Sequence, residues 1–319
     1  MAVENRSIAA QYEEELHSAF KRLGIPPIRP NDNVFRISTV RGRGKCWRAC
    51  RDIQPGTPLI HEEVLFRIVR DETANNRHQS SFPAFRELSC PDPATPQRRF
   101  DANNFQMTGR NQRPCHGIFT QASRINHSCI PNAYFAWNPD LGLSGRLTVY
   151  AIARIPPNAE ILIDYRSLDA FETRDERQQG RRHYGFDCTC PACRTDTEPG
   201  RESEKRRERM RVLESQIAQT KDQDPSEQTI DTLFDLFELS KLLQDEGLVY
   251  PHLADSFLGQ ALWWWRERER VAGRNGMAMY EEECREKEMQ ASRKKLELDI
   301  MANGHDSPEV TKTLSFMFT

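Results

Sequence analysis

Three stretches decide how this 319-residue chain is read. The first is Arg124-Ile125-Asn126-His127-Ser128-Cys129-Ile130-Pro131-Asn132, the second Glu160-Ile161-Leu162-Ile163-Asp164-Tyr165, and the third Tyr184-Gly185-Phe186-Asp187-Cys188-Thr189-Cys190-Pro191-Ala192-Cys193. The first is a short polar turn between the apolar segments Ile118-Phe119 and Tyr134 to Trp137. Burying its Asn and His costs free energy unless their hydrogen bonds are met. The second is a buried strand that ends on an acid and a tyrosine. The third packs three thiols into six residues, while a closed structural zinc site needs four ligands.

Working outward, Arg146 to Tyr150 alternates as a strand and Pro156-Pro157-Asn158 turns the chain into the second stretch. Upstream, Val34 to Ile37 and Cys46 to Cys50 read as paired strands, and Leu59 to Phe66 as another. Short strands between turn signals predict a small antiparallel β-domain. The Arg41-Gly42-Arg43-Gly44 segment between the first pair serves either a hairpin turn or close approach to a ligand. Cys46 and Cys50 straddle a strand and read as buried thiols. Residues 68–117 are irregular, with a short helix expected over 82–88.

The order of an NHSCxPN turn, an ILIDY strand and a CxCxxC tail resembles the SET-domain methyltransferases. The resemblance implies a site for S-adenosylmethionine and a channel for a lysine side chain. It assigns Arg41, Gly42, Arg43, Asn103, Asn126, His127, Tyr165 and Phe186 to the cofactor, Phe105 and Tyr184 to the channel, and Tyr165 to catalysis. It also makes Cys129 the fourth zinc ligand beside Cys188, Cys190 and Cys193. Where the family has Gly-Glu before the last strand, this chain has Asn158-Ala159; Asn also tolerates left-handed backbone. Residues 68–117 lack the CxxC pairs of a MYND zinc finger, so the resemblance is to SET-and-MYND proteins without that finger.

Outside this region the pattern is helical. Ser7 to Leu23 carries one apolar stripe, with Gly24 as its stop. Beyond Arg201 four helices are expected, over 202–220, 230–243, 254–271 and 277–301, resembling the tetratricopeptide-like tail of SET-and-MYND relatives. In the second, Ile230, Leu233, Phe234 and Phe237 form one stripe, and Leu236, Leu239, Leu242 and Leu243 widen it, which predicts packing on more than one side. The run Trp263-Trp264-Trp265 cannot share one helix face. The charged run Lys205 to Arg209 reads as a solvated helix.

The expected fold is therefore α+β: an N-terminal helix and linker over 1–30, a SET domain over 31–187, a post-SET zinc segment over 188–200 and an all-α domain over 201–319. Net charge is −2, which argues against direct nucleic-acid binding by the whole chain. Residues 31–194 hold 23 Arg and Lys against 17 Asp and Glu, a mildly basic region. Mean hydropathy is −0.74, and no apolar run approaches membrane-spanning length. Nine cysteines and no apolar signal core over 1–10 suggest thiols and metal ligands in a nuclear or cytoplasmic protein. The resemblance implies transfer of a methyl group from S-adenosylmethionine to a lysine of a histone or other protein. A SET-fold binding module without transfer, and an enzyme acting on a small molecule, fit the same residues.

Overall fold

The computed structural model describes residues 8–24, 34–40, 44–69, 82–91, 94–108, 114–142, 145–165, 171–220 and 229–318. Arg41, Gly42 and Arg43, expected to touch the cofactor, lie outside the described residues.

Among the described residues, ten strands form three small sheets. Strands β1 (Phe35–Val40), β2 (Gly44–Ala49), β7 (Asn126–His127) and β10 (Glu160–Ile163) make the first, in the order β1-β2-β10-β7. Strands β3 (Pro58–Glu63), β8 (Ala133–Asn138) and β9 (Arg146–Ala151) make the second, in the order β3-β9-β8. Strands β4 (Phe66–Val69), β5 (Asn104–Thr108) and β6 (Pro114–Ile118) make the third, in the order β4-β6-β5. The expected single strand over 59–66 is two, β3 and β4, in different sheets. Trp47, Leu147, Val149 and Ile161 fill the shared core from strand positions that alternate inward, joined by Ile155 from an isolated bridge to Ile53. Cys46 is buried, but Cys50 is exposed, against expectation.

The pairing that positions the site is parallel. Strand β10 runs beside β7 with Leu162 opposite Asn126 and Ile163 opposite His127. Tyr165 and Cys129 each lie two residues past that register, so the sheet brings the two motifs together. Asn132 fixes the following turn, donating from Nδ2 to the Glu160 carbonyl at 2.9 Å and accepting the Leu162 N–H at 2.8 Å. Asn158, in the turn before β10, sits at φ 66°, the left-handed conformation that Asn tolerates better than most residues.

Short helices α2 (Pro83–Arg86) and α3 (Pro96–Asp101) cover the third sheet through Phe85 and Phe100. Helix α4 (Arg174–Arg181) starts at a capping box between Thr173 and Glu176. Then follow α5 (Glu198–Thr220), α6 (Ile230–Glu246), α7 (Ala254–Val271), α8 (Ala278–Asn303) and α9 (Pro308–Met317). Helix α9 was not expected, although Ser307-Pro308 is a start signal: the Ser307 side chain accepts the Val310 N–H. It packs with α8 against the N-terminal helix α1 (Ile8–Leu23) through Ala19, Leu296, Ile300 and Leu314. Trp263 is buried and Trp265 is 38% exposed, as their angular separation requires.

One helical expectation holds only in part and another fails. Ile230, Phe234 and Phe237 are exposed, Phe234 by 61%, while Leu233, Leu236, Leu239 and Leu243 are buried. Helix α6 packs on both α5 and α7, as expected of so wide a stripe, but the Ile230, Phe234 and Phe237 edge stays uncovered. The run Lys205 to Arg209 is not wholly solvated: Arg207 is 1% exposed.

Candidate active site and metal centre

Tyr165 stands at the end of β10 with its hydroxyl donating to the Ile125 carbonyl at 2.7 Å. Its ring lies 4.8 Å from that of Tyr184, 5.2 Å from His127 and 6.3 Å from Phe186, nearly perpendicular to the last. These four rings line one cavity of about 650 Å³. Gly185, between two of them, adopts φ 79°, and a Cβ there would meet Pro91 at 3.0 Å. Glycine thus permits both the turn and the close approach of the loop that closes the cavity.

Asn103, Asn126 and Lys45 also line this cavity. The Asn103 amide holds the opposite wall, donating to the carbonyls of Ser89 and Arg99, both at 2.7 Å. Asn126 donates to Glu160 at 2.7 Å. Phe105 does not reach the cavity. It is buried in the core, edge-on to Phe119 and Phe135, because β5 turns that face inward.

His127 occupies the centre of the arrangement. Its Nδ1 accepts the Tyr165 backbone N–H at 3.2 Å, and its Nε2 lies 3.4 Å from the Cys129 sulfur. Burial pushes its pKa down to about 4, against the raising influence of Asp164.

The sulfurs of Cys129, Cys188, Cys190 and Cys193 lie within 4.8 Å of one another, a set that can hold a metal ion. The thiols share protons unequally. Hydrogen bonds from Cys129 and then Cys188 bring Cys193 down to about 7 and Cys190 lower still, while Cys129 and Cys188 are pushed up. A bound dication replaces such protons and favours all four thiolates.

Helix α4 holds the cysteine segment. Gln178 accepts the Cys188 N–H at 2.8 Å and donates to the Cys188 carbonyl at 2.7 Å. Arg177 donates to the Ala192 carbonyl at 2.9 Å and faces the Cys193 sulfur at 3.8 Å. Arg181 donates to the Arg177 carbonyl at 2.7 Å and pairs with Asp164, beside Tyr165, at 3.3 Å. Both arginines are 1% exposed. Burial pulls their pKa values down, but the facing cysteine sulfurs, with Glu204 near Arg177 and Asp164 near Arg181, outweigh it and raise them. These groups are not legible in the sequence, where Arg174 to Arg182 is merely a charged segment, helical or looped. The capping box was its only legible signal.

Residues 44–166 match the SET domain family model. Over 166 residues the chain is 34% identical to histone-lysine N-methyltransferase set5 of Schizosaccharomyces pombe, covering 50% of each. Over 94 residues it is 36% identical to a methyltransferase of Gibberella zeae, covering 29% of this chain and 12% of that one. Over 113 residues it is 40% identical to human protein-lysine N-methyltransferase SMYD4, covering 34% of this chain and 13% of that one. The chain thus spans half the length of the first relative and much less of the other two. Residues 44–166 thus match the SET domain, and over this region the chain is similar to relatives named lysine methyltransferases.

Proposed function

We propose that this protein is an S-adenosylmethionine-dependent methyltransferase acting on lysine side chains of a histone or another protein. The arrangement of Tyr165 supports it most directly: a hydroxyl fixed by the Ile125 carbonyl, inside an aromatic cavity, on the residue that the SET resemblance assigns to catalysis. The names of the relatives support a protein lysine as acceptor.

The cavity fits the cofactor in size and lining. It offers aromatic faces, the polar side chains of Asn103 and Asn126, and the Lys45 ammonium. S-adenosylmethionine, when bound, supplies a methyl group activated by a sulfonium. The residues of the chain do the rest. The Tyr165 proton is engaged by Ile125, so the oxygen offers its lone pairs to a cationic neighbour and does not serve as a base. Tyr165, Tyr184 and Phe186 present ring faces that attract a cation and exclude water. Their fixed placement supplies the proximity contribution, in which donor and acceptor are held in line. Asn126 and His127, on β7, form the wall behind them.

Cys129, Cys188, Cys190 and Cys193 are proposed to hold zinc. Four thiols in one buried cluster form the closed set that structural zinc takes. The metal would tie the segment bearing Tyr184 and Phe186 to the turn bearing His127. A reduced, metal-binding set of this kind fits a nuclear or cytoplasmic protein.

The test is incubation of the protein with methyl-labelled S-adenosylmethionine and either histones or a cell extract. Label on protein, lost in Tyr165→Phe, supports the reading. Absence of label on every protein, or equal labelling by the variant, counts against it.

A further inference from the structure

The functional reading leaves α5 and α6 without a role, yet the end of this helix pair grips the metal-bearing turn. Arg207 donates from Nη2 to the Cys129 carbonyl at 2.8 Å. Its Nε donates to Glu246 at 2.9 Å. Glu246, the last residue of α6, has a side chain with 0% exposure and is fixed in turn by Arg206 at 2.8 Å and by Ser203. One residue on, Gly247 turns at φ 79°, and a Cβ there would meet Ile130 at 3.0 Å. Residues 129 and 130 are therefore held from the helical side. From the other side Ser128 and Asn132 donate backbone hydrogen bonds to β10, at 3.0 and 3.1 Å.

Apolar packing alone does not account for this arrangement. Burying a guanidinium and a carboxylate is costly unless each is paired and fully hydrogen-bonded, and apolar residues of similar size often serve stability as well. What arginine adds is a rigid fork that binds two acceptors in fixed directions. One is Glu246; the other is the peptide whose orientation aims the Cys129 side chain into the thiol cluster. His127 and Ser128, just before it, line the cavity.

We infer that Arg207, fixed by Glu246, is a positioning residue that aims Cys129 at the metal and so makes the α5–α6 pair part of the cofactor site. The inference rests on the proposed zinc and S-adenosylmethionine sites. A loosened turn releases the metal faster and binds the cofactor more weakly, while Tyr165 keeps its partner.

The test uses the zinc-loaded full chain as wild type, Arg207→Met, Arg207→Lys, Glu246→Gln and Leu243→Ala. Leu243 is fully buried in the apolar core that joins α5 and α6, so its truncation reports general destabilisation. Two quantities are measured: the rate of zinc transfer to a chromogenic chelator, and the dissociation constant for S-adenosylmethionine by calorimetry. Arg207→Met and Glu246→Gln are expected to release zinc about 10-fold faster or more, in line with other residues that orient metal ligands. Arg207→Lys, which keeps the charge but not the fork, should recover part of the effect. Leu243→Ala should lower the melting temperature and leave zinc release near the wild-type rate. The inference is overturned if both strut variants release zinc at the wild-type rate, or if Leu243→Ala releases it as fast as they do. Zinc release decides the matter whether or not wild type binds S-adenosylmethionine; a failure of that binding counts against the functional reading alone.

Discussion

The sulfur of Cys129 lies 3.4 Å from Nε2 of His127. The other ring nitrogen accepts the backbone N–H of Tyr165. A backbone N–H can only donate, so Nδ1 carries the lone pair and Nε2–H faces the sulfur. Burial keeps the ring neutral near pH 7, so Asp164, 3.4 Å from Nδ1, is not its ion pair; Asp164 pairs with Arg181. One neutral imidazole thus joins the thiol cluster to the tyrosine.

Removing that ring should weaken the metal site. His127→Ala is expected to lower zinc affinity by about 10- to 100-fold, the usual cost of losing a group that orients a metal ligand. Competition against a chelator of known affinity measures it. Unchanged affinity would show that the contact is incidental.

Tyr165→Phe should separate chemistry from folding. It removes one hydroxyl and leaves the Ile125 carbonyl without this donor, a cost of about 1 kcal/mol in stability. Methyl transfer should fall by about 10²-fold or more, the scale for losing one group placed at developing charge. Cofactor affinity should change little. Paired calorimetry and transfer assays test the separation.

Wild type should carry about one zinc per chain. Cys193→Ser should lose it, and stripping the metal from wild type should lower the melting temperature and weaken S-adenosylmethionine binding together. Elemental analysis with thermal unfolding checks both. A metal-free protein of undiminished stability contradicts the assignment.

The turn before β10 gives a purely conformational prediction. Asn158 holds a left-handed backbone, and its side chain accepts from Arg36 at 2.8 Å at the surface. Asn158→Gly should be close to neutral, because relief of the backbone offsets the exposed hydrogen bond. Asn158→Val should cost about 1–3 kcal/mol, since a β-branched residue is poorly tolerated there. Denaturant unfolding distinguishes the two.

The exposed ridge on α6 should contribute little to folding. Phe234→Ser is expected to change stability by no more than about 0.5 kcal/mol, whereas Leu233→Ala, one residue away but buried, should cost about 2–5 kcal/mol. Equal effects would contradict the orientation of α6.

The strands and the residues around Tyr165 were legible because their signals are local: alternation, turn residues, and cysteines close in sequence. Tyr184, which the family resemblance gave to the lysine channel, lines one cavity with His127, Asn103 and Asn126, which it gave to the cofactor. Phe105 does not, because the side chosen by a strand residue depends on register, which one sequence leaves open. Arg177 and Arg181 were missed, and Arg207 misread as solvated, for a related reason. Arg177, Arg181 and Arg207 sit in charged helices, and only the fold shows that the thiol cluster and Glu246 face them. The width of the α6 stripe misled only at its Ile230, Phe234 and Phe237 edge, since periodicity reports apolar faces but not what covers them.

The central claim is that the Tyr165 cavity transfers a methyl group from S-adenosylmethionine to a protein lysine. Peptide mass spectrometry of histones incubated with the zinc-loaded protein and this cofactor tests it most directly. The account predicts methyl groups on lysine side chains with wild type and none above background with Tyr165→Phe. Lysines left unmodified while the cofactor binds, or modified equally by the variant, would contradict it.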